Sequence, residues 1–386
     1  MAETLRARSS FVRRAVGRSS PLRRMDGVLF GAVLALSVLG TLLVWSSTRT
    51  WDSAEPTALA KKHVINVCAG LALYSVVSVV DYRWLRRWAP LIYGVALAGL
   101  VLVLTPLGAT INNTRSWIQL GGGFAVQPAE LAKPALVVMA ASLLTPTAEG
   151  TKDRPRYVNV AYCIAVWGVT AFLVMCQPDL GTTIMLTATM GAMIVFSGLR
   201  KRFIFAGLAA GVLTAVAVWH LNLLKPYQMA RFTALMDPST DPRGIGYNST
   251  QALLAVGSGE LFGKGLFHGG QTTGRFVPEQ HTDFIFTVAG EELGFVGSVT
   301  LVLLLGVVLL RGVRIARECN DRFAALVAGG LVAWLAFQSL VNIGMTIGIM
   351  PITGVPLPFV SYGGTATFAN MIAVGLLQAI HVRRPL

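Results

Sequence analysis

Apolar runs of about 20 residues recur along this chain, from near residue 26 to near residue 380. A helix of that length matches the hydrocarbon thickness of a bilayer. In lipid, every backbone N–H and C=O must find a partner within its own segment, so such runs are read as helices. Ten are read, at about 26–46, 63–80, 89–106, 127–144, 158–175, 180–198, 203–219, 284–310, 323–346 and 366–380. Only 13% of the 386 residues are charged, about half the share found in soluble domains. The expected fold class is all-α: a polytopic integral membrane protein of about ten transmembrane helices. One large loop, 220–283, separates the seventh and eighth. Residues 1–25 read as a basic tail and 26–386 as a single membrane domain.

The formal net charge is +14. Its basic residues fall in short clusters between apolar runs, where topology signals sit, so a nucleic-acid partner is not expected. Alternate connections hold Arg6 through Arg24, then Arg83, Arg86 and Arg87, Lys152, Arg154 and Arg156, Arg200, Lys201 and Arg202, Arg311, Arg314 and Arg317, and Arg383 and Arg384. The remaining short connections hold only Arg49, Lys61, Lys62 and Arg115. An even number of spans puts both termini on one side, and the bias places them in the cytoplasm. The first apolar run is too long for a signal-peptide core and reads as an uncleaved helix. Cys68, Cys163, Cys176 and Cys319 form no C-x-x-C pair, so neither a disulfide framework nor a zinc site is expected.

Loops longer than about 15 residues without structure of their own are uncommon and usually functional. Loop 220–283 mixes Gly, Pro, aromatic and charged residues, and within it "NSTQALLAVGSGELFG" reads as a short amphipathic surface helix. The stretch "GSGELFGKG" does not match a phosphate-binding P-loop. "NST" at Asn248 is a weak glycosylation pattern.

The segment "PEQHTDFIFTVAGEELGF", from Pro278 to Phe295, crowds ionisable groups at the mouth of the eighth span. Asp283 could be a functional carboxylate, or Thr282 or Asp283 could merely cap the helix. His281 could be a base or ligand, or a structural hydrogen-bonder. Glu130 and Lys133, in "QPAELAKP", share a helix face at i,i+3 spacing. Ionisable groups inside a span are costly and usually mark function, although a locking ion pair would look the same. Asp179 could cap the sixth helix or line a site. Glu291 and Glu292 are adjacent, cannot share a face, and read as structural.

Arg115, Glu130, Lys133, Asp179, Lys225, Arg231, Glu279, His281 and Asp283 all fall at one end of the bundle, the outer one by the charge bias. Several cations at the hydrocarbon boundary suit a phosphate headgroup. A carboxylate beside them suits proton abstraction from a hydroxyl. Together they point to chemistry on a lipid-linked, phosphorylated substrate.

The motifs "QPAELAKP", "QPDLGTT", "RFTALMDPSTDPRGIGYNSTQALLAVGSGELFGKG", "PEQHTDFIFTVAGEELG", "FQSLVNIG" and "GVPLPFVSYGG" occur in this order. They resemble the shape, elongation, division and sporulation family of bacterial cell-wall proteins, and its RodA-like branch more than its FtsW-like one. Ala252 and Glu260 stand where the family leads one to expect Ser and Gly. The resemblance implies a peptidoglycan glycosyltransferase of the bacterial cytoplasmic membrane. Its implied substrate is lipid II, and its implied partner is a class B penicillin-binding protein, a transpeptidase. It also implies that Asp283 is the essential carboxylate and that Glu130 and Lys133 line the same cavity. Arg115, Lys225, Arg231, Glu279 and His281 are the further candidates for substrate binding, and a divalent cation, Mg or Mn, is a candidate cofactor. Two other readings remain: a transporter that flips lipid II, and a scaffold that recruits the transpeptidase.

Overall fold

The computed structural model describes residues 24–50, 55–111, 114–121, 124–145, 155–221, 226–237, 241 and 244–383. Most of the basic tail therefore lies outside the described residues, as does Lys225. Each apolar run is a helix. In chain order these are α1 (Gly27–Thr48), α2 (Ala58–Val79), α3 (Tyr82–Leu104), α4 (Pro128–Leu144), α5 (Tyr157–Cys176), α6 (Leu180–Phe196) and α7 (Lys201–His220). Three shorter helices follow, α8 (Pro226–Met236), α9 (Ile245–Ser258) and α10 (Gly270–Gly274). The chain then completes α11 (Ile285–Arg317), α12 (Arg322–Thr346) and α13 (Gly364–Arg383). Eight of these helices are long and apolar enough to cross a membrane. The other two predicted spans, α4 and α6, are 17 residues each.

Aspartates start several helices. The carboxylate of Asp26 accepts from the backbone of Val28 and Leu29, that of Asp81 from Arg83, and that of Asp321 from Phe323. These bonds satisfy donors that a helix start leaves without intrahelical partners. Asp26 also pairs with Arg311 of α11, and the Arg383 guanidinium reaches the carbonyl of Ser78. These bonds tie α1 to α11 and α13 to α2 at the end opposite Asp283.

The core centres on α4, which packs against α3, α5, α6, α12 and α13. Close approach comes from small residues: Ala129, Ala132, Ala135, Ala140 and Ala141 are all buried. Without water to drive helices together, such packing and a few hydrogen bonds must do so. By contrast, none of the described residues of α7 is buried, so that helix lies at the periphery.

One feature goes beyond the sequence reading, and the short helix expected within "NSTQALLAVGSGELFG" is present as α9. A three-stranded antiparallel sheet joins α3 to α4: β1 (Gly108–Ile111), β2 (Thr114–Gly121) and β3 (Phe124–Val126), in the order β1-β2-β3. The large loop is also folded rather than bare. The face of α9 bearing Gly246, Ser249, Ala252 and Ala255 is buried, and the helix packs on α11 and α12.

Helix α11 is broken at Gly294, with φ 65° and ψ −164°. That conformation is open essentially to glycine alone. A Cβ there would also overlap the backbone of Gly263. Gly294→Val should therefore destabilise the fold by about 1–3 kcal/mol from backbone strain alone, more once the overlap is added. A thermal melt in detergent reads this; an unchanged midpoint would contradict the assignment.

Candidate active site

The turn from Pro278 to Phe284 carries the central carboxylate. Glu279 adopts φ +50°, and its carbonyl accepts from the backbone N–H groups of Thr282, Asp283 and Phe284. The chain is thus wound tightly just before α11. The N-cap of α11 is Phe284, with no side-chain capping bond. The Asp283 side chain therefore does not cap α11. Its backbone carbonyl accepts from Asn342 Nδ2 at 2.7 Å, and Asn342 Nδ2 also donates to the Val355 carbonyl at 2.7 Å. The side chain is half-buried. Its Oδ2 lies 3.2 Å from where a Cβ on Gly354 would sit, so any larger residue there would crowd it.

Burial pushes the Asp283 carboxyl up to about 7. The negative charges of Glu279, Asp179 and Glu130 push the same way, and Arg231 opposes them. Glu279 of the same turn and three candidates from distant parts of the chain thus act on one oxygen pair. Arg231, on α8, donates from Nη1 to the Thr353 carbonyl at 3.3 Å. Asp179 caps α6, accepting from Thr182 N at 2.9 Å and Thr182 Oγ1 at 2.8 Å. Its Oδ2 also takes a bond of 3.4 Å from Gln127. Asp179 therefore both caps a helix and contributes field at Asp283.

Glu130 and Lys133 pair at 2.6 Å, and both are buried at 2% exposure. Lys133 also donates to Gln338 Oε1 at 3.3 Å and sits 5.6 Å above the Trp334 ring. Trp334 donates to the same amide oxygen, while Gln338 Nε2 donates to the Pro356 carbonyl at 2.8 Å. The pair therefore holds a wall of the site through the loop after α12. Arg115 is on β2, exposed, with Nε donating to the Gly108 carbonyl at 3.0 Å. His281 is buried, its ring centroid 5.5 Å from that of Tyr362. Burial holds its pKa below the usual value and Glu279 pulls it back up. Tyr362 donates its backbone N–H to the His281 carbonyl at 2.9 Å.

Sequence reasoning missed Gln338 and Asn342 as individual residues. Both project from α12 and tie down the loop beside Asp283. Two amides at i,i+4 in an apolar span were the available signal, because polar groups there need partners. Among the described residues, no three His, Cys, Asp or Glu side chains converge to hold an ion.

A family model described as cell cycle protein, covering FtsW, RodA and SpoVE, matches residues 27–385. The peptidoglycan glycosyltransferase MrdB of Escherichia coli K12 is 36% identical over 364 residues, covering 93% of this chain and 94% of MrdB. Stage V sporulation protein E of Bacillus subtilis 168 is 37% identical over 360 residues, covering 91% of this chain and 95% of the relative. A solved structure described as structural coordination of polymerization and crosslinking by a peptidoglycan synthase complex is similar with TM-score 0.77 and 31% identity. It covers 92% of this chain and 97% of the matched one. The rod shape determining protein RodA of Thermus thermophilus is similar with TM-score 0.67 and 29% identity, covering 94% of this chain and 98% of its own.

Proposed function

The chain belongs to the cell cycle protein family of FtsW, RodA and SpoVE, and from that premise we propose that it is a peptidoglycan glycosyltransferase. It polymerises lipid II into β-1,4 glycan strands at the outer face of the bacterial cytoplasmic membrane, in cell elongation. Its partner is a class B penicillin-binding protein that crosslinks the strands. Both termini lie in the cytoplasm. The basic clusters support that orientation, because Arg83, Arg311, Arg314 and Arg383 sit at the end of the bundle opposite Asp283.

The observation that carries the reading is Asp283 itself: a carboxyl that caps no helix, set at the mouth of a span within reach of the charges of Glu279, Asp179, Glu130 and Arg231. A general base works best when its pKa lies near the working pH. Asp283 takes the proton from the 4-hydroxyl of the acceptor sugar. The freed oxygen bonds to the anomeric carbon of the donor. The bond from that carbon to the lipid pyrophosphate breaks, and the electron pair leaves with the phosphate. One displacement turns an α-linked donor into a β-linked product, so no covalent intermediate is required. Arg231, whose charge acts on Asp283, offsets the charge growing on the leaving group. Lys133, closed into its pair with Glu130, supports the wall instead. Arg115, His281, Glu279 and Lys225 remain candidates for holding the sugar-phosphate.

A pH profile tests the reading. Polymerisation should rise with pH, because only the ionised base accepts a proton, and should level off above about 7. Glu279→Gln removes a negative charge from the neighbourhood and should move the inflection down by roughly 1 unit. A flat profile across neutral pH, or an inflection that ignores Glu279→Gln, would contradict the role of Asp283.

A further inference from the structure

Glu291 and Glu292 sit in the first part of α11, buried at 0% and 1% exposure, and the mechanism uses neither. Just beyond them the helix breaks at Gly294, which frees backbone groups that lipid cannot satisfy. The segment after α9 takes them up. Lys264 N and Gly265 N donate to the carbonyls of Glu291 and Glu292, each at 3.0 Å. Phe295 N and Val296 N donate to the carbonyls of Glu260 and Leu261, at 2.9 and 3.1 Å. The glycine-rich stretch that superficially suggested a phosphate loop is thus a backbone partner for a broken helix. A Cβ on Gly263 would overlap the Glu292 carbonyl.

The Glu291 carboxylate pins the far side of the same segment. Oε1 accepts from Gln271 N at 2.8 Å and from Lys264 Nζ at 3.2 Å. Oε2 accepts from Thr272 N and Thr272 Oγ1, each at 2.8 Å. Thr272 passes the constraint on, because its carbonyl accepts from Gln280 Nε2 at 2.9 Å. Gln280 Nε2 also donates to the Ser47 carbonyl at the end of α1, at 2.9 Å. Glu292 makes a second tie to α1, accepting from Ser46 Oγ at 2.5 Å. Gln280 is buried at 1% exposure and lies in the turn that presents Asp283. Hydrogen bonds therefore run from Glu291 through Thr272 to Gln280, three residues before the base. Asn342 holds the other side of the turn.

We propose that Glu291 is a positioning residue for Asp283, acting through the 258–274 segment that it pins against the break in α11. The inference rests on the reading of Asp283 as the base. A carboxylate is required here because it faces four donors, two of them backbone N–H groups that would otherwise be buried unpaired. Loss of its charge releases Thr272, and with it the anchor of Gln280.

The experiment compares wild type, Glu291→Gln, Gln280→Leu and Asp283→Asn as full-length protein in detergent with its transpeptidase and lipid II. Polymerisation rate, half-saturation, melting temperature and pH profile are measured for each. Glu291→Gln should lose between about tenfold and a hundredfold in rate, the scale of a small misplacement of a catalytic group, with half-saturation nearly unchanged. Its inflection should fall from about 7 towards the ordinary carboxylate range, as water reaches a loosened Asp283. The groups facing Asp283, namely Glu279, Asp179, Glu130 and Arg231, are untouched by the change. A wild-type rate and inflection in Glu291→Gln would overturn the proposal. So would a lowered melting temperature with the wild-type inflection in the surviving protein, since a merely structural brace predicts that. If Glu291→Gln does not fold, Gln280→Leu decides by the same criteria, because its side chain lies nearer the base in the same path. Full activity in Asp283→Asn would instead remove the parent reading, whatever Glu291→Gln shows.

Discussion

Asp283→Asn is expected to lower polymerisation by about 10²–10⁴-fold, the usual contribution of a positioned base, while leaving the fold intact. The substitution keeps the size of the side chain and removes only its capacity to take a proton. The N-cap of α11 is Phe284 without a side-chain bond, and Asn342 grips the backbone carbonyl of Asp283, which the substitution retains. The burial that raises the carboxyl pKa also predicts that the amide is tolerated, since a neutral group is easier to bury. The check is a rate measured beside a melting curve. A large loss of rate with an unmoved melting temperature is the signature of a base. A parallel fall in both would indicate a structural residue.

Lys133→Met is expected to cost about 3–5 kcal/mol of stability, the range found when one partner of a buried ion pair is removed. It leaves Glu130 at 2% exposure without its ammonium, and Gln338 loses a donor that reaches it at 3.3 Å. The double replacement Glu130→Gln with Lys133→Met should recover most of that loss, because buried pairs replaced together are often near neutral. The two changes touch one another, so non-additivity is the expected result. A thermal melt of the single and double variants checks this. Additive losses would mean that the pair is not coupled as its geometry indicates. Activity should suffer in both, since Gln338 holds the loop beside Asp283 through Pro356.

Much of the architecture was legible from the apolar runs, because each span must be helical to satisfy its backbone in lipid. The boundaries were less so. Helix α11 runs on to Arg317, seven residues past the end read from hydropathy, because its basic last turns lie beyond the apolar window. Helix α2 begins at Ala58, earlier than expected, since Lys61 and Lys62 mask its first turn. The sheet between α3 and α4 had turn signals in "INNT" and "LGGG", but its strands of three to eight residues carry little hydropathy contrast.

In the site, the Glu130–Lys133 pair follows from i,i+3 spacing, a local rule. The approach of Arg231 and Asp179 to Asp283 does not, because it depends on how α6, α8 and the loop after α12 converge. No short-range pattern encodes that. Gly294 inside "EELGF" hinted at a break, but its partner in the 258–274 segment could be found only in three dimensions. The capping alternative for Asp283 was likewise decided by geometry, since Thr282, Asp283 and Phe284 are equivalent by position alone until the first helical residue is known.

The most direct test of the account is polymer formation in detergent. Purified protein and its cognate transpeptidase are mixed with lipid II, and glycan is resolved on a gel beside the Asp283→Asn variant. Detergent leaves no membrane to cross, so neither a transporter of lipid II nor a scaffold can make product. The account predicts long glycan from the wild type and none from the variant. Equal polymer from both would contradict the role of Asp283. No polymer from either, with the transpeptidase present and a divalent cation supplied, would contradict the glycosyltransferase itself.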